Sequence, residues 1–145
     1  MQVREIMNRN VVTVEPKISL HDAARKMVEN NTKFLIVTEK ERLIGIVTEW
    51  DFVRKIAAGT KSILDAKLES IITKKVIVIA PTTEVSEAAE IMTSNNIKRL
   101  PIVENNVLIG VVTAMEIIAA EPKLIEQVSE LFSAARKEQK SSVAG

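Results

Sequence analysis

The sequence predicts a mixed α/β (α+β) fold, in which two β-α-β-β-α units pack about a pseudo-twofold axis and a C-terminal helix follows. Three observations predict it. The chain matches itself without a gap at an offset of 65 residues, β-branched runs alternate with amphipathic runs, and Thr-x-x-acid capping boxes precede helices. Matching pairs include Pro16 and Pro81, Met27 and Met92, residues 43–45 and 108–110, and residues 47–48 and 112–113.

The first unit opens with a strand and a helix. Residues 11–14 are β-branched and stop before Pro16, which predicts a short strand. Ser19 and Asp22 form a capping box, and the apolar residues that follow lie on one helical face. The asparagine pair at 30–31 is predicted to end this helix.

The same unit continues with a strand pair and a second helix. Residues 34–37 and 43–47 are apolar runs on either side of a polar turn, a pattern typical of two antiparallel strands. Thr48 and Asp51 form the next capping box, and the helix they start is predicted to run to Gly59. A unit of this size buries too little apolar surface to be stable alone, so we expect the two units to pack together. Such packing would create two equivalent clefts.

The second unit repeats this order of elements. Its opening, residues 68–72, mirrors residues 3–7. The predicted elements are a strand at 76–79, a helix at 85–94, strands at 100–103 and 108–112, and a helix at 114–120. The predicted organisation is a first repeat at 1–59, a connector at 60–67, a second repeat at 68–121, and a C-terminal helix and tail at 122–145.

The C-terminal segment lies outside the repeat. After Pro122 an apolar stripe predicts one more helix. Two interpretations stay open: the helix folds back on the module, or it contacts a second subunit or partner. The stripe consists of Leu124, Ile125, Val128, Leu131, Phe132 and Ala135.

Composition excludes several classes of function. The chain has no cysteine, which excludes disulfides and thiol chemistry. Net charge is +1 with interleaved signs and aromatic residues make up 3%, which disfavours nucleic acid as the main partner. The apolar runs are too short for a membrane-spanning helix, and the first residues show no signal pattern, so a cytoplasmic location is expected.

Several motifs resemble those of a known family. Residues 45–51 match the signature Gly-φ-x-Thr/Ser-x-x-Asp, in which φ is apolar. Residues 98–103 are similar to the segment that leads into the family's second strand, and residues 3–7 and 11–16 are similar to its opening. Because the motifs occur in one order, twice and at a constant offset, the chain resembles a tandem cystathionine-β-synthase (CBS) domain pair, a Bateman-type regulatory module.

The resemblance implies a non-enzymatic, energy-sensing or otherwise regulatory role. Such pairs bind adenosine-containing ligands, here AMP, ADP, ATP or S-adenosyl methionine, in the clefts between the repeats. They often assemble as homodimers and signal to a partner protein, which the sequence does not identify. No obligatory cofactor is implied.

The resemblance also assigns residues to the nucleotide. The signature Asp51 corresponds to the residue that receives the ribose hydroxyls, and Thr48 and Thr113 correspond to residues near ribose and phosphate. Glu116 stands in the second repeat where aspartate is usual. The remaining candidates precede or lie on the strands of the two repeats, and basic ones are expected to reach toward phosphates: Thr13, Lys33, Lys98 and Arg99.

Each of these residues also has a purely structural interpretation. Thr-x-x-acid motifs are ordinary capping boxes that contribute about 0.5–2 kcal/mol to a helix start. The three basic residues would then be solvated surface charges, and Gly45 and Gly110 would permit close backbone packing. Four methionines on apolar positions are predicted to fill the core: Met7, Met27, Met92 and Met115.

Three hypotheses from different classes follow. The first is an adenine-nucleotide sensor, and the second is an interaction module whose clefts bind nothing, which Glu116 and the replacement of the first-repeat arginine by Phe34 favour. The third is an enzyme, but no nucleophile–base pair, metal cluster or phosphate loop occurs, and His21 has no matching partner.

Overall fold

The computed structural model describes residues 1–59 and 65–133, and the chain divides into two compact units. The central unit is Val11–Val76, and the terminal unit combines Met1–Asn10 with the chain from Ile77 onward. The units therefore cut across the sequence repeats, because each holds the opening segment of the other repeat. The domain boundaries at 59, 67 and 121 describe the sequence repeat and remain a prediction.

The described residues of the central unit, 11–59 and 65–76, form a three-stranded sheet and two α-helices. Strand β1 pairs in parallel with β2, which pairs antiparallel with β3. The predicted capping box of the first helix is confirmed in part: the Asp22 N–H donates to Ser19 Oγ at 3.0 Å, but among the described residues the Asp22 side chain makes no return bond to Ser19. The elements are β1 (Thr13–Val14), α1 (Leu20–Glu29), β2 (Phe34–Glu39), β3 (Arg42–Thr48), α2 (Glu49–Ala58) and a short 3-10 helix (Leu68–Ser70).

The core of the central unit lies between α1, the sheet and the 3-10 helix. Leu68 comes from the opening segment of the second repeat and is fully buried there. Burial of apolar side chains is the main force that holds such a small unit together. The buried cluster consists of Val14, Leu20, Ala23, Met27, Leu35, Val37, Val47 and Leu68.

In the described part of the terminal unit, which ends at residue 133, a two-stranded antiparallel sheet is accompanied by three α-helices. Helix α4 has the bounds that the sequence predicts. The elements are α3 (Val85–Asn95), β4 (Arg99–Glu104), β5 (Val107–Thr113), α4 (Ala114–Ala120) and α5 (Ile125–Ser129), with short 3-10 helices at Val3–Glu5, Pro122–Leu124 and Glu130–Phe132.

The strand predicted at residues 76–79 is wrong: only a single parallel bridge, between Ile79 and Ile102, forms there. In the central unit the Ile36 N–H donates to the Val12 carbonyl at 3.3 Å. Pro101 occupies the place of Ile36 in the second repeat and has no N–H to donate. The ladder therefore stops at Ile79.

The C-terminal segment is broken into α5 and two 3-10 turns rather than one helix. Val128 and Leu131 are buried, and α5 packs against α3 and α4. The described part of the segment therefore folds back on the terminal unit. Phe132 is 47% exposed, and Ala135 lies outside the described residues.

The opening segment of the second repeat crosses strand β3 in the central unit. Ile46 and Thr73 exchange backbone hydrogen bonds of 3.1 and 3.0 Å. A Cβ on Gly45 would lie 2.6 Å from the Thr73 carbonyl oxygen and closer still to Ile72 Cγ2. The signature glycine thus permits the close approach of this segment, as the structural interpretation predicts.

The terminal unit contains the equivalent crossing. Asn8 and Val111 exchange backbone hydrogen bonds of 2.8 and 3.0 Å beside Gly110. A Cβ on Gly110 would lie 2.7 Å from Met7 Sδ and 3.0 Å from the Asn8 carbonyl oxygen. No helix among the described residues is long and apolar enough to cross a membrane.

Candidate functional site

The candidate site is centred on the start of helix α2. The Thr48 N–H donates to Asp51 Oδ2 at 2.8 Å, and the Thr48 hydroxyl lies 3.3 Å from the same oxygen. Each residue is 3% exposed, and among residues 1–59 and 65–133 these two are the buried polar or charged residues. Buried carboxylates are rare unless they are paired, so the hydrogen bonds from Thr48 are needed to keep Asp51 inside the unit.

Arg54 completes the surroundings of the buried carboxylate. Its Nη2 donates to Asp51 Oδ1 at a short distance, and its own side chain is 44% exposed while that of Asp51 is 2% exposed. Both oxygens of Asp51 therefore have donors. Arg54 was not among the residues that the sequence predicts for the site, although its i,i+3 spacing from Asp51 is a signal for pairing on a helix.

A cleft of about 260 Å³ adjoins this pair within the central unit. One wall comes from α2 and the other from the opening segment of the second repeat. A volume of this size fits a sugar-sized group rather than a whole nucleotide, since sites for drug-sized ligands usually span about 300–1,000 Å³. The lining residues are Asp51, Arg54, Lys55, Ser70 and Ile71.

Three of the four residues predicted for the site in the central unit lie outside that lining. Lys33 is exposed, and its carbonyl accepts the Glu49 N–H at 3.0 Å, which places its backbone at the start of α2. Thr13 is exposed on β1, opposite Ile36. The structure thus brings Thr48 and Asp51 together at the start of α2. Asp51 lines the cleft, whereas Thr48, Lys33 and Thr13 lie outside its lining.

The second signature forms the same capping box at the start of α4. The Thr113 N–H donates to Glu116 Oε1 at 2.9 Å, and the Glu116 N–H donates to Thr113 Oγ1 at 3.3 Å. Partial burial raises the pKa of Glu116, and the hydrogen bonds from Thr113 oppose this shift. Ala119 stands at the position equivalent to Arg54, so this carboxylate lacks the arginine of the first site.

The basic candidates of the second repeat lie beside that capping box. Arg99 is the cross-strand partner of Thr113, and the Lys98 carbonyl accepts the Ala114 N–H at 2.9 Å. Lys98 Nζ lies 5.3 Å from the centroid of the Phe132 ring. Both residues are half-buried and flank the start of α4.

The methionine prediction is partly wrong. Met7, Met27 and Met92 are buried, but Met115 is 62% exposed. Met115 occupies the second position of α4, and its equivalent on α2, Trp50, is also exposed. This helix position therefore faces outward in both repeats. Among the described residues no cluster of His, Cys, Asp or Glu is suited to hold a metal ion.

The raised pKa of Glu116 predicts a pH-dependent stability term. A folded-state pKa above the ordinary value of 4.5 stabilises the fold below that value, and the contribution is lost as pH rises through the folded-state pKa. Glu116→Gln keeps a capping side chain but removes the charge. We expect the variant to gain unfolding free energy relative to the unsubstituted protein as pH rises from 4 to 7, measured by urea unfolding. Glu87→Gln, in the first turn of α3, is the matched control, and an equal pH profile for both variants would contradict the prediction.

Comparison with known proteins identifies the family. The model of the CBS domain matches residues 3–58 and 68–123. An uncharacterised protein of Methanopyrus kandleri, MK0525, is 36% identical over 132 residues, which are 90% of this chain and 67% of that protein. A homoserine O-acetyltransferase of Methanosalsum zhilinae is 37% identical over 117 residues, which are 79% of this chain and 23% of that enzyme.

Solved structures give the same result. The CBS domain pair of protein MJ0100, in complex with 5′-methylthioadenosine and S-adenosyl-L-methionine, aligns with a TM-score of 0.74 and 26% identity. The alignment covers 85% of this chain and 97% of that one. CBS-domain pairs are regulatory modules rather than catalytic domains. This chain belongs to the CBS-domain family and carries two copies of the domain.

Proposed function

We propose that the chain is a regulatory sensor that binds an adenosine-containing ligand of the AMP, ADP, ATP or S-adenosyl methionine type. The observation that carries this proposal is the buried Thr48–Asp51 pair beside a sugar-sized cleft. A vicinal diol offers two O–H donors, which a carboxylate accepts well in a site sheltered from water. The adenosine derivatives bound by the MJ0100 domain pair support the choice of ligand class.

The start of α2 adds a second reason for a nucleotide. A helix N-terminus carries free N–H groups and partial positive charge, which favour a phosphate group. Arg54 and Lys55 bring two cationic side chains to the same cleft. Ribose and phosphate would therefore meet complementary groups on one helix.

Signalling requires that the ligand bind two arrangements of the module with different affinity. We infer that the responding element is a homodimer mate or a partner protein. Exposed apolar side chains on α2, which include Trp50 and Ile56, offer a surface for such an assembly. Trp50 directly precedes Asp51 in the sequence, so its fluorescence is a practical reporter of ligand binding.

The second candidate is an interaction module that binds no nucleotide. Arg54 already occupies Asp51 Oδ1, and the second repeat has Glu116 and Ala119 in place of the Asp–Arg pair. If the carboxylates served only as helix caps, neither the occupied Oδ1 nor the replacements in the second repeat would impair their role.

Thermal unfolding with AMP, ADP, ATP, S-adenosyl methionine and NAD separates the two candidates. A ligand at about 100 times its Kd stabilises the fold by about 2.7 kcal/mol. For a chain of this length the midpoint should rise by roughly 5–11 °C. Asp51→Ala is expected to abolish that rise, because the ribose hydroxyls lose their acceptor.

The control for lost capping is Ser19→Ala, which removes the hydroxyl that accepts from the Asp22 N–H at the start of α1 and lies outside the lining of the cleft. This variant should lower the midpoint without ligand but keep the ligand-induced rise. No rise with any of the five ligands would reject the sensor in favour of the interaction module.

A further inference from the structure

The two oxygens of Asp51 differ in how they are occupied. Oδ2 faces the N–H and hydroxyl of Thr48, an arrangement that fixes the start of α2. Among the described residues, Oδ1 accepts only from the Arg54 guanidinium, and Arg54 lies on the exposed side of the pair. The oxygen that an incoming diol would use is therefore held by a side chain that water already reaches.

Opening of this pair would change the charge of the cleft. The guanidinium would be released beside Lys55, which is half-buried on the same helix and forms no ion pair with any described residue. Two cations would then face a cleft whose carboxylate is engaged by the ligand. Such a pair of cations favours an anionic group, and most strongly one that accepts two N–H donors from arginine.

We propose that Arg54 sets the ligand selectivity of the cleft in the central unit, in favour of adenosine ligands that also carry a phosphate. This inference rests on the proposed function. An uncharged nucleoside must separate Arg54 from Asp51 and offers the guanidinium nothing in return. A nucleoside phosphate replaces the lost carboxylate contact with a phosphate contact, so the exchange of partners is balanced.

The second repeat serves as an internal contrast. The positions equivalent to Arg54 and Lys55 are Ala119 and Ala120, so the carboxylate of Glu116 has neither cation on its own helix. Selection by exchange of an arginine partner is therefore specific to the first repeat. Titrations of the whole chain should show that this ligand selectivity is lost when Arg54 alone is changed.

The test is isothermal titration of the full chain and of Arg54→Ala with adenosine and with AMP. Removal of a partly exposed ion pair frees Oδ1 and should raise the affinity for adenosine about 2–5-fold. Removal of the guanidinium should lower the affinity for AMP about 10-fold. The preference for AMP over adenosine should thus fall by more than an order of magnitude, and Arg54→Lys should retain part of it.

Arg25→Ala is the matched control, because Arg25 forms an exposed i,i+4 pair with Glu29 on α1. It removes the same charge and should leave both affinities unchanged. If the unsubstituted protein binds both ligands and Arg54→Ala does not alter their ratio, the role of Arg54 is rejected while the sensor stands. If the unsubstituted protein binds neither adenosine nor AMP but is stabilised by another of the five ligands above, the role of Arg54 is rejected while the sensor stands. If none of those ligands binds, the proposed function itself is rejected, and the inference with it.

Discussion

Gly45→Ala is expected to destabilise the fold by about 3 kcal/mol, as overpacking against rigid backbone does. The added Cβ would lie 2.6 Å from the Thr73 carbonyl oxygen, which is itself hydrogen-bonded to the Ile46 N–H. Relief of the clash requires the crossing segment to move away from β3 and break that bridge. Urea unfolding followed by circular dichroism measures the loss.

Gly110→Ala provides the matched comparison in the other unit. There the added Cβ would meet the Met7 thioether at 2.7 Å and the Asn8 carbonyl oxygen at 3.0 Å. A thioether at the end of a flexible side chain can move aside, so the cost should be about 1 kcal/mol. Equal costs for the two variants would mean that the backbone approach at Gly45 is not the limiting contact.

Leu68→Ala is expected to cost about 2–5 kcal/mol, the usual range for a buried leucine reduced to alanine. Leu68 is fully buried, with an exposed fraction of 0%, and it belongs to the apolar cluster that contains Leu20 and Leu35. Its removal leaves a cavity between α1 and the sheet. The midpoint of urea unfolding at a fixed m-value gives the change.

Val28→Ala is the control for that variant, since Val28 is an apolar side chain that is 81% exposed on α1 of the same unit. Its cost should stay within about 0.5 kcal/mol. A cost for Leu68→Ala as small as that of Val28→Ala would show that the opening segment of the second repeat is not part of the core of the central unit.

Much of the fold could be predicted because it depends on local sequence. The N-cap at Ser19 and the capping boxes at Thr48 and Thr113 fix where helices begin, and all three helices start directly after these residues. The prediction of a strand at 76–79 failed for a non-local reason. Its pattern is β-branched, but whether it pairs depends on residue 101, and the proline there becomes informative only once the pairing partner is known.

The site was predictable in part for the same reason. The signature identifies Thr48 and Asp51, because a capping box brings residues three apart into contact. It does not show that Arg54 takes the second carboxylate oxygen, since the same spacing is common in solvated helices. Nor does it show that Ser70 and Ile71, which are distant in sequence, form the opposite wall of the cleft.

The exchange of opening segments has a consequence for synthesis on the ribosome. The central unit is one continuous stretch, Val11–Val76, and all of its parts have been made before the second half of the chain follows. Residues 1–10 emerge before the central unit, but their hydrogen-bond partners include Thr83 and Val111, which follow it. Residues 1–10 must therefore wait until the whole central unit and part of the second repeat have been made, and closing so long a loop is a slow step. During that interval Val3 and Met7, which the finished protein buries, are exposed to other nascent chains and to chaperones.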